Sequence, residues 1–419
     1  PISYFPLEAA MNRWLVTAVM AILLAFVVNS AFAQSAPMVM VTSDVGYQYI
    51  GSYDVARLNT IGTTELNDFK TTKTDITLPP AKNGVKLYRV RYRTVITEQS
   101  NRPGLVGGLI AVPDTPASAS PVVSYQHGTV FSKTEVPSFP EQSPETRLMI
   151  AQFAGNGYIV IAADYIGKGT STEPDSYLIK ESTAQACYDM LIAAQAVLTS
   201  LKITTGELFL SGWSQGAYNT MVFRNRLEQS GVPVKAAATA STPMDLYALI
   251  TRWINNRRPL DTDWLVGCTA LLVNSYEQYY ALPGLSVAAI KPQYWQTARD
   301  FYNNKIGWTE ASKVFPKSTK EFLQADFSDA SSLAANRFFR LLLDNQAYQW
   351  RFRTPSRYYY GKIDEVVPQY VGTLPVAYQE AVGGAAATAV YAGDIADHRG
   401  TFIFGMLDQK QWFDGLLKK

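Results

Sequence analysis

Apolar and polar residues alternate along the chain with two different periods. Tyr88, Val90 and Tyr92 alternate with arginines, and this period of two is typical of a half-exposed strand. Residues 158–163 form a continuous apolar run, which is typical of a buried parallel strand. Seven apolar residues then recur at helical spacing on one face: Cys187, Met190, Leu191, Ala194, Val197, Leu198 and Leu201. Strands that alternate with helices predict an α/β fold, with a mostly parallel sheet covered on both faces.

Further strands are predicted on both sides of a long interruption in this pattern. They lie at residues 105–112, 122–125, 207–210, 356–360 and 387–391. The turn residues 101–104 predict an antiparallel hairpin between the first two strands of the sheet. Residues 34–80 show no clear period, so we predict an irregular N-terminal arm there.

The interruption covers residues 245–348, which carry Trp253, Trp264, Trp295 and Trp308. We predict that this segment forms helices and loops, and we call it the cap. The expected core domain then consists of residues 34–244 and 349–419. Some of these tryptophans should form the small core of the cap, and the others should line an apolar pocket.

Residues 1–33 are expected to lie outside the folded domain. Met11 and Arg13 precede an apolar run from Leu15 to Val28, and the segment ends in Ala31-Phe32-Ala33. A charged start, a short apolar run and a small-x-small site predict a secretory signal peptide that is cleaved after Ala33, with upstream residues before Met11. A membrane anchor is the alternative, but the run is short for a spanning helix of roughly 20 residues. We therefore expect a secreted or periplasmic protein.

Composition narrows the classes of function. The chain is 47% hydrophobic and 17% charged with a net charge of +2, which excludes a disordered chain and a strongly basic nucleic-acid binder. Two histidines and two cysteines lie far apart, so we expect no metal site. Cys187 and Cys268 could pair after export, but two buried thiols are the favoured interpretation.

One motif carries strong chemical information. Gly212–Gly216 reads G-x-S-x-G, follows an apolar strand and precedes a helix-compatible stretch. This is the context of a nucleophile elbow, a tight strand-to-helix turn that exposes the hydroxyl of Ser214. A serine hydroxyl needs a base to remove its proton, and the chain offers only His127 and His398. The elbow fold has the order nucleophile, acid, histidine, so we predict that His398 is the base.

The acid of such a triad should lie between Ser214 and His398, after the next-to-last strand. Asp364 occupies that place, in a turn between Gly361 and Pro368, and we predict that it orients the imidazole. Three other carboxylates compete for this role: Glu365, Asp394 and Asp397. With an unperturbed imidazole, the rate should fall below about pH 6.5.

A developing oxyanion needs two backbone N–H groups. We predict that one belongs to Gln215, the residue after the nucleophile. The other should come from the loop after the third strand, where His127, Gly128 and Thr129 are the candidates.

Several segments of the chain resemble the α/β-hydrolase superfamily and, more narrowly, the secretory lipase and esterase family. They are residues 125–129, Ala163–Gly169, Gly212–Gly216, Gly361–Pro368 and the pair Asp397 and His398. The resemblance covers roughly residues 85–405. It implies an α/β-hydrolase fold, hydrolysis of carboxylic esters through an acyl-enzyme without a cofactor, and a lid between strands 6 and 7 of the family fold. The cap lies at that place in the sequence.

Several functions remain open. A secreted serine esterase or lipase is the leading hypothesis, with a small-molecule or lipid ester as substrate and transient contact between the cap and a lipid interface. A serine peptidase, a deacetylase of sugars or small metabolites, and an inactive binding module are the alternatives. An apolar pocket predicts a preference for acyl chains of at least four carbons over acetate. The natural ester and the oligomeric state do not follow from the sequence.

Overall fold

The computed structural model describes residues 36–72, 76–329 and 333–418. The predicted signal peptide therefore lies outside the described residues. Within these ranges the chain forms one mixed sheet with helices on both of its faces.

The sheet contains ten strands in the described residues. In chain order they are β1 (Val39–Met40), β2 (Val45–Tyr53), β3 (Val85–Ile96), β4 (Arg102–Pro113), β5 (Ser120–Gln126), β6 (Ile159–Ala163), β7 (Thr205–Trp213), β8 (Ala236–Ala240), β9 (Ser356–Tyr360) and β10 (Ala387–Tyr391). Their order across the sheet is β1-β2-β3-β4-β6-β5-β7-β8-β9-β10. The pairs from β1 to β6 are antiparallel, and those from β6 to β10 are parallel. Strands β3 and β4 form the predicted antiparallel hairpin, which is confirmed.

The α-helices of the described residues fall into two groups. The core helices are α1 (Val55–Thr60), α2 (Leu66–Phe69), α3 (Pro144–Gln152), α4 (Lys180–Ser200) and α5 (Gln215–Gln229). The cap contributes α6 (Leu246–Asn255), α7 (Leu265–Tyr279), α8 (Leu285–Ala289), α9 (Trp295–Tyr302), α10 (Trp308–Ala311), α11 (Thr319–Phe322) and α12 (Arg337–Asp344). The core then continues with α13 (Gln369–Gly372), α14 (Leu374–Val382) and α15 (His398–Leu417).

Alternation along the central strands explains why both faces of the sheet are covered. Val122 and Val123 are neighbours on β5, yet they pack into different hydrophobic clusters. The cluster of Val122 includes buried residues of α4, α5 and the cap. The cluster of Val123 includes buried residues of α3 and α15. Because both faces bury apolar side chains, β5, β6 and β8 read as continuous apolar or small-residue runs.

The prediction of an irregular arm over residues 34–80 is wrong. Strands β1 and β2 extend the antiparallel edge of the sheet, and α1 and α2 follow, joined by the π-helical turn Ile61–Glu65. Strand β2 is only half buried and has a bulge between Tyr49 and Gly51, so its sequence lacks a clear period of two.

The cap is inserted between β8 and β9. Its helices are short and aromatic-rich, and Leu265–Tyr279 is nearly all buried. The cap follows the eighth strand of this sheet, because β1 and β2 precede the strands expected from the sequence and β8, for which the sequence pattern predicts no strand, lies just before the cap.

Candidate active site

Ser214 occupies a sharp turn between β7 and α5. Its backbone has φ 56° and ψ −123°, a conformation that residues other than glycine rarely adopt. The Ser214 N–H donates to the carbonyl oxygen of Ala240 at 3.0 Å, which ties the turn to the end of β8. Such strain persists only where the surrounding structure imposes it, and it is common at functional sites.

Gly216 explains how the turn fits against its neighbour. A Cβ atom at Gly216 would clash with the carbonyl oxygen of Gln126, the last residue of β5. The absence of a side chain therefore lets the first turn of α5 pack directly on the end of β5. This contact brings Ser214 next to the loop that follows β5, where His127, Gly128 and Thr129 lie.

Asp364 and His398 form a buried pair. The Nδ1 atom of His398 lies 3.0 Å from Oδ1 and 3.2 Å from Oδ2 of Asp364. The same Oδ1 accepts hydrogen bonds from the backbone N–H groups of Val366 and Val367, each at 2.9 Å. The turn after β9 thus fixes the carboxylate, and the carboxylate fixes the imidazole.

The electrostatics of this pair favour its charged form. Burial would raise the pKa of Asp364, but the nearby His398 and several hydrogen bonds lower it below its usual value. Burial would likewise lower the pKa of His398, but the carboxylates of Asp364 and Glu365 raise it above 6.5. The imidazolium of His398 is therefore stabilised where it lies.

The other acids considered from the sequence have different partners. Glu365 accepts the backbone N–H of His398 at 2.9 Å. Asp397 caps α15 by accepting the N–H of Gly400 at 2.7 Å, and Asp394 pairs with Lys362 at 2.8 Å. Of these four carboxylates, only Asp364 is hydrogen-bonded to the imidazole ring of His398.

Ser214 and His398 line one cavity of about 400 Å³. Its wall also includes apolar side chains of the core and the cap, with charged groups among them: Val130, Phe131, Glu135, Trp213, Trp264, Trp308, Glu365 and Arg399. The Nε2 atom of His398 is buried and has no hydrogen-bond partner among the described residues.

His127 is also buried, but its ring has other partners. Its ring stacks on Tyr165 with the centroids 4.2 Å apart, and its Nδ1 atom lies 2.8 Å from the carbonyl oxygen of Gly128. Burial lowers the pKa of His127 to about 4, so the ring is neutral in ordinary buffers. These contacts are those of a packed residue that shapes the loop.

The backbone N–H groups near Ser214 differ in whether they have a hydrogen-bond acceptor. The N–H of Gly128 donates to Oε1 of Glu145 at 2.8 Å. The N–H groups of Thr129 and Gln215 have no acceptor in the part of the chain that the structure describes. Thr129, Ser214 and Gln215 line the same small pocket. Sequence reasoning missed Glu145, because nothing in its local sequence signals a contact with a loop 17 residues earlier.

Comparison with known proteins identifies the fold. No protein-family model and no curated protein matches the chain. Among solved structures, a presumed hydrolase from Legionella pneumophila subsp. pneumophila matches with a TM-score of 0.78 and 21% identity, over 88% of this chain and 97% of that one. The rice cell wall degrading esterase LipA from Xanthomonas oryzae matches with 0.72 and 20%, over 89% and 96%. Candida antarctica lipase A matches with 0.61 and 17%, over 88% and 82%.

The chain has an α/β-hydrolase fold, similar to that of these three structures. The predicted fold class is therefore confirmed, and the lid between strands 6 and 7 stays a prediction. Since each of these identities is below a quarter, the likeness concerns the fold, and the chemistry must be argued from the residues of this chain.

The four tryptophans of the cap divide into two kinds. Trp264 and Trp308 line the cavity of Ser214, and the ring of Trp264 lies 6.2 Å from that of His398. Trp253 is buried and donates its indole N–H to the carbonyl of Val366 at 3.0 Å. Trp295 bonds the carbonyl of Ile290 within the cap. The cap thus contributes aromatic walls to the cavity as well as its own packing.

Both cysteines are free, buried thiols. Burial raises the pKa of Cys268 to about 12 and that of Cys187 further, so both stay protonated and unreactive.

Within the described residues, no helix is long and apolar enough to cross a membrane.

Proposed function

We propose that the protein is a serine hydrolase that cleaves carboxylic esters, with Ser214 as nucleophile, His398 as base and Asp364 as the acid that orients it. One observation carries the proposal. A buried histidine, held by a carboxylate whose pKa is lowered, faces the same cavity as a serine in a strained strand-to-helix turn. Three residues from separate strand-to-helix connections and helix starts have the chemistry that an activated serine requires.

In the proposed reaction, Ser214 Oγ attacks the ester carbonyl while its proton moves to Nε2 of His398. The imidazolium that forms is stabilised by Asp364, whose hydrogen bond holds the proton on Nδ1. His398 then protonates the leaving alcohol, and the acyl group stays on Ser214. A water molecule releases the acid in the second half-reaction, with His398 again as the base.

We propose Thr129 and Gln215 as the donors to the oxyanion. Their N–H groups lack acceptors among the described residues, and both residues line the same pocket as Ser214, whereas the Gly128 N–H is already bonded to Glu145. Removing one such donor in other enzymes costs about 10²- to 10³-fold in kcat.

The aromatic side chains of the cap favour an ester substrate with an apolar part. We propose that it acts as a lid over Ser214, because Trp264 and Trp308 form part of the cavity wall. A cavity of about 400 Å³ is large enough for an acyl chain of several carbons. This supports the expected preference for chains of four carbons or more.

A second candidate, a deacetylase, is favoured by a different observation. The apolar pocket beside Ser214, lined by Trp253, Cys268 and Val366, has a volume of about 20 Å³. That volume accommodates roughly one water-sized group. If the acyl chain enters this pocket rather than the larger cavity, acetate esters will be the best substrates.

Hydrolysis of p-nitrophenyl esters by wild type and Ser214→Ala tests the proposal. We expect turnover by wild type and a loss of several orders of magnitude in the variant. A folded Ser214→Ala protein with wild-type turnover would exclude Ser214 as the nucleophile. An acyl series from acetate to octanoate separates the two substrate classes, and an amino-acyl anilide tests for peptidase activity.

We also propose that the protein is exported. The support is the sequence alone, from Met11 to Ala33. Mass spectrometry of the mature protein after expression in a secreting host should give Gln34 as the first residue. An intact N-terminus on an exported protein would contradict the proposed cleavage site.

A further inference from the structure

Glu145 is a buried carboxylic acid beside the candidate site, and the proposed reaction does not use it. It lies in the first turn of α3 with 7% of its surface exposed. Its Oε1 atom accepts two hydrogen bonds, one from the hydroxyl of Tyr125 and one from the backbone N–H of Gly128. Tyr125 lies on β5 and Gly128 in the loop that follows it, so one oxygen atom links the strand to its loop.

The loop after β5 is also held from the other side. A Cβ atom at Gly128 would lie 2.9 Å from the ring of Trp213 and 3.2 Å from Oε2 of Glu145. Gly128 is thus packed between the residue that precedes Ser214 and the carboxyl group of Glu145. Only a glycine fits this position without displacing one of its neighbours.

The direction of the Gly128 N–H matters for the next peptide group. Consecutive peptide planes share one Cα atom, and only two dihedral angles separate them. With the N–H of Gly128 directed at Glu145, the N–H of Thr129 has no acceptor within the described part of the chain, and Thr129 lines the pocket of Ser214. The side chain of Thr129 is fixed independently by a hydrogen bond of 3.0 Å to the hydroxyl of Tyr177.

We propose that Glu145 is a positioning residue for the oxyanion site: it holds the Gly128 peptide so that the neighbouring Thr129 N–H faces the reacting carbonyl. This inference rests on the proposed function of Ser214 and names the group that orients one of its donors. Glu145 acts through the backbone and does not touch the substrate.

The surroundings of Glu145 indicate that its acceptor atom matters more than its charge. Burial raises its pKa to about 7, despite the opposing effects of Tyr125, Gly128, His398 and Arg399. The protonated acid keeps an oxygen that can accept both hydrogen bonds. A glutamine of the same length should therefore replace it, whereas an aspartate, one methylene shorter, should not reach the Gly128 N–H.

Glu228 provides a matched control. It is also a glutamate with 7% exposure, and its Oε1 atom accepts backbone N–H groups of Arg353 at 3.1 Å and Thr354 at 3.0 Å. It lies near the end of α5 and anchors the segment that enters β9. That place is at the amino ends of the parallel strands, whereas Ser214 lies at their carboxyl ends, on the opposite side of the sheet.

The test measures the rate at which diethyl p-nitrophenyl phosphate modifies Ser214, together with kcat and KM for p-nitrophenyl butyrate. In the first reaction the Ser214 oxygen bonds to phosphorus, p-nitrophenolate leaves, and the phosphoryl oxygen occupies the oxyanion site. This reaction reports on the site without requiring that an ester be the natural substrate.

We expect Glu145→Ala to lower the phosphorylation rate and kcat by about 10- to 100-fold with little change in KM, as for a misplaced donor. Glu145→Asp should lose about 10-fold, and it serves where Glu145→Ala does not fold. Glu145→Gln should stay within about threefold of wild type. Glu228→Asp should lower the melting temperature and leave both rates unchanged.

Different outcomes of this test contradict the positioning role of Glu145 and the proposed ester hydrolysis. Wild-type rates in folded Glu145→Asp and Glu145→Ala would overturn the positioning role, as would a Glu145→Gln variant that is as slow as Glu145→Ala. Phosphorylation of the wild type without ester turnover would contradict the proposed ester hydrolysis and leave the effect of Glu145 measurable. A wild type that reacts with neither reagent would overturn both proposals.

Discussion

The loop after β5 contains His127, and the loop after β10 leads into His398, the first residue of α15. The two loops give these side chains opposite properties. His127 and His398 are equally buried, with 1% and 3% of their surfaces exposed. Burial disfavours the imidazolium in both loops. Yet the pKa of His127 falls to about 4, while that of His398 rises above its usual value.

The neighbours of the two rings explain this difference. The carbonyl oxygens of Gly128 and Asp164 favour protonation of His127, but burial outweighs them, and the charge of Lys168 also disfavours protonation. His398 faces the carboxylates of Asp364 and Glu365. Burial therefore does not make a histidine a useful base. A buried histidine becomes one only where a carboxylate compensates for the lost hydration of the imidazolium.

Substitution of the two histidines should give the largest contrast. His398→Ala should lower kcat for p-nitrophenyl butyrate by about 10⁶-fold, on the scale seen when serine hydrolases lose their base. His127→Ala should retain far more activity, since the loop contributes backbone N–H groups rather than the imidazole. Steady-state kinetics of both variants, with circular dichroism as a check on folding, makes the comparison. The opposite ranking would show that the roles of the two loops are exchanged.

Asp364→Asn should remove the negative charge that compensates for the burial of the His398 imidazolium, while keeping the shape of the side chain. Its amide oxygen can still accept the N–H groups of Val366 and Val367, so the turn should persist. The imidazolium would lose its counter-charge, and kcat should fall by about 10⁴-fold. Asp394→Asn is the control, because Asp394 is an exposed partner of Lys362 in the same region. Equal activity of the two variants would mean that Asp364 has no special role.

The sequence predicts much of this molecule because the informative signals are local. Strands β9 and β10 have the predicted bounds, and the G-x-S-x-G motif marks the turn at Ser214 within five residues. The order of motifs along the chain singles out Asp364 and His398, which the fold brings into contact.

The unpredicted features depend on tertiary contacts. Strand β2 pairs with β3 from the edge of the sheet and carries no burial pattern of its own. The bond between Glu145 and Gly128 joins a helix to a loop. The direction of the pKa shift of His398 follows from the distance to Asp364, which no local pattern encodes.

The pH dependence is the smallest and most discriminating expected effect. The base must be neutral to accept the proton of Ser214, so kcat/KM should fall about tenfold per pH unit below the pKa of His398. An unperturbed imidazole would place this fall below about pH 6.5. Since the carboxylates raise the pKa of His398, we expect it to begin at a higher pH.

Glu145 also has a raised pKa, about 7, so the profile needs a second variant to assign it. Glu145→Gln removes that titration, and the acid limb should remain in this variant if His398 causes it. In Asp364→Asn, whose residual activity should still be measurable, the limb should move to lower pH, because the main group that raises the pKa of His398 is gone. An acid limb at or below pH 6.5 in the wild type would mean that the carboxylates do not outweigh burial at His398, and the contrast between the two loops would disappear.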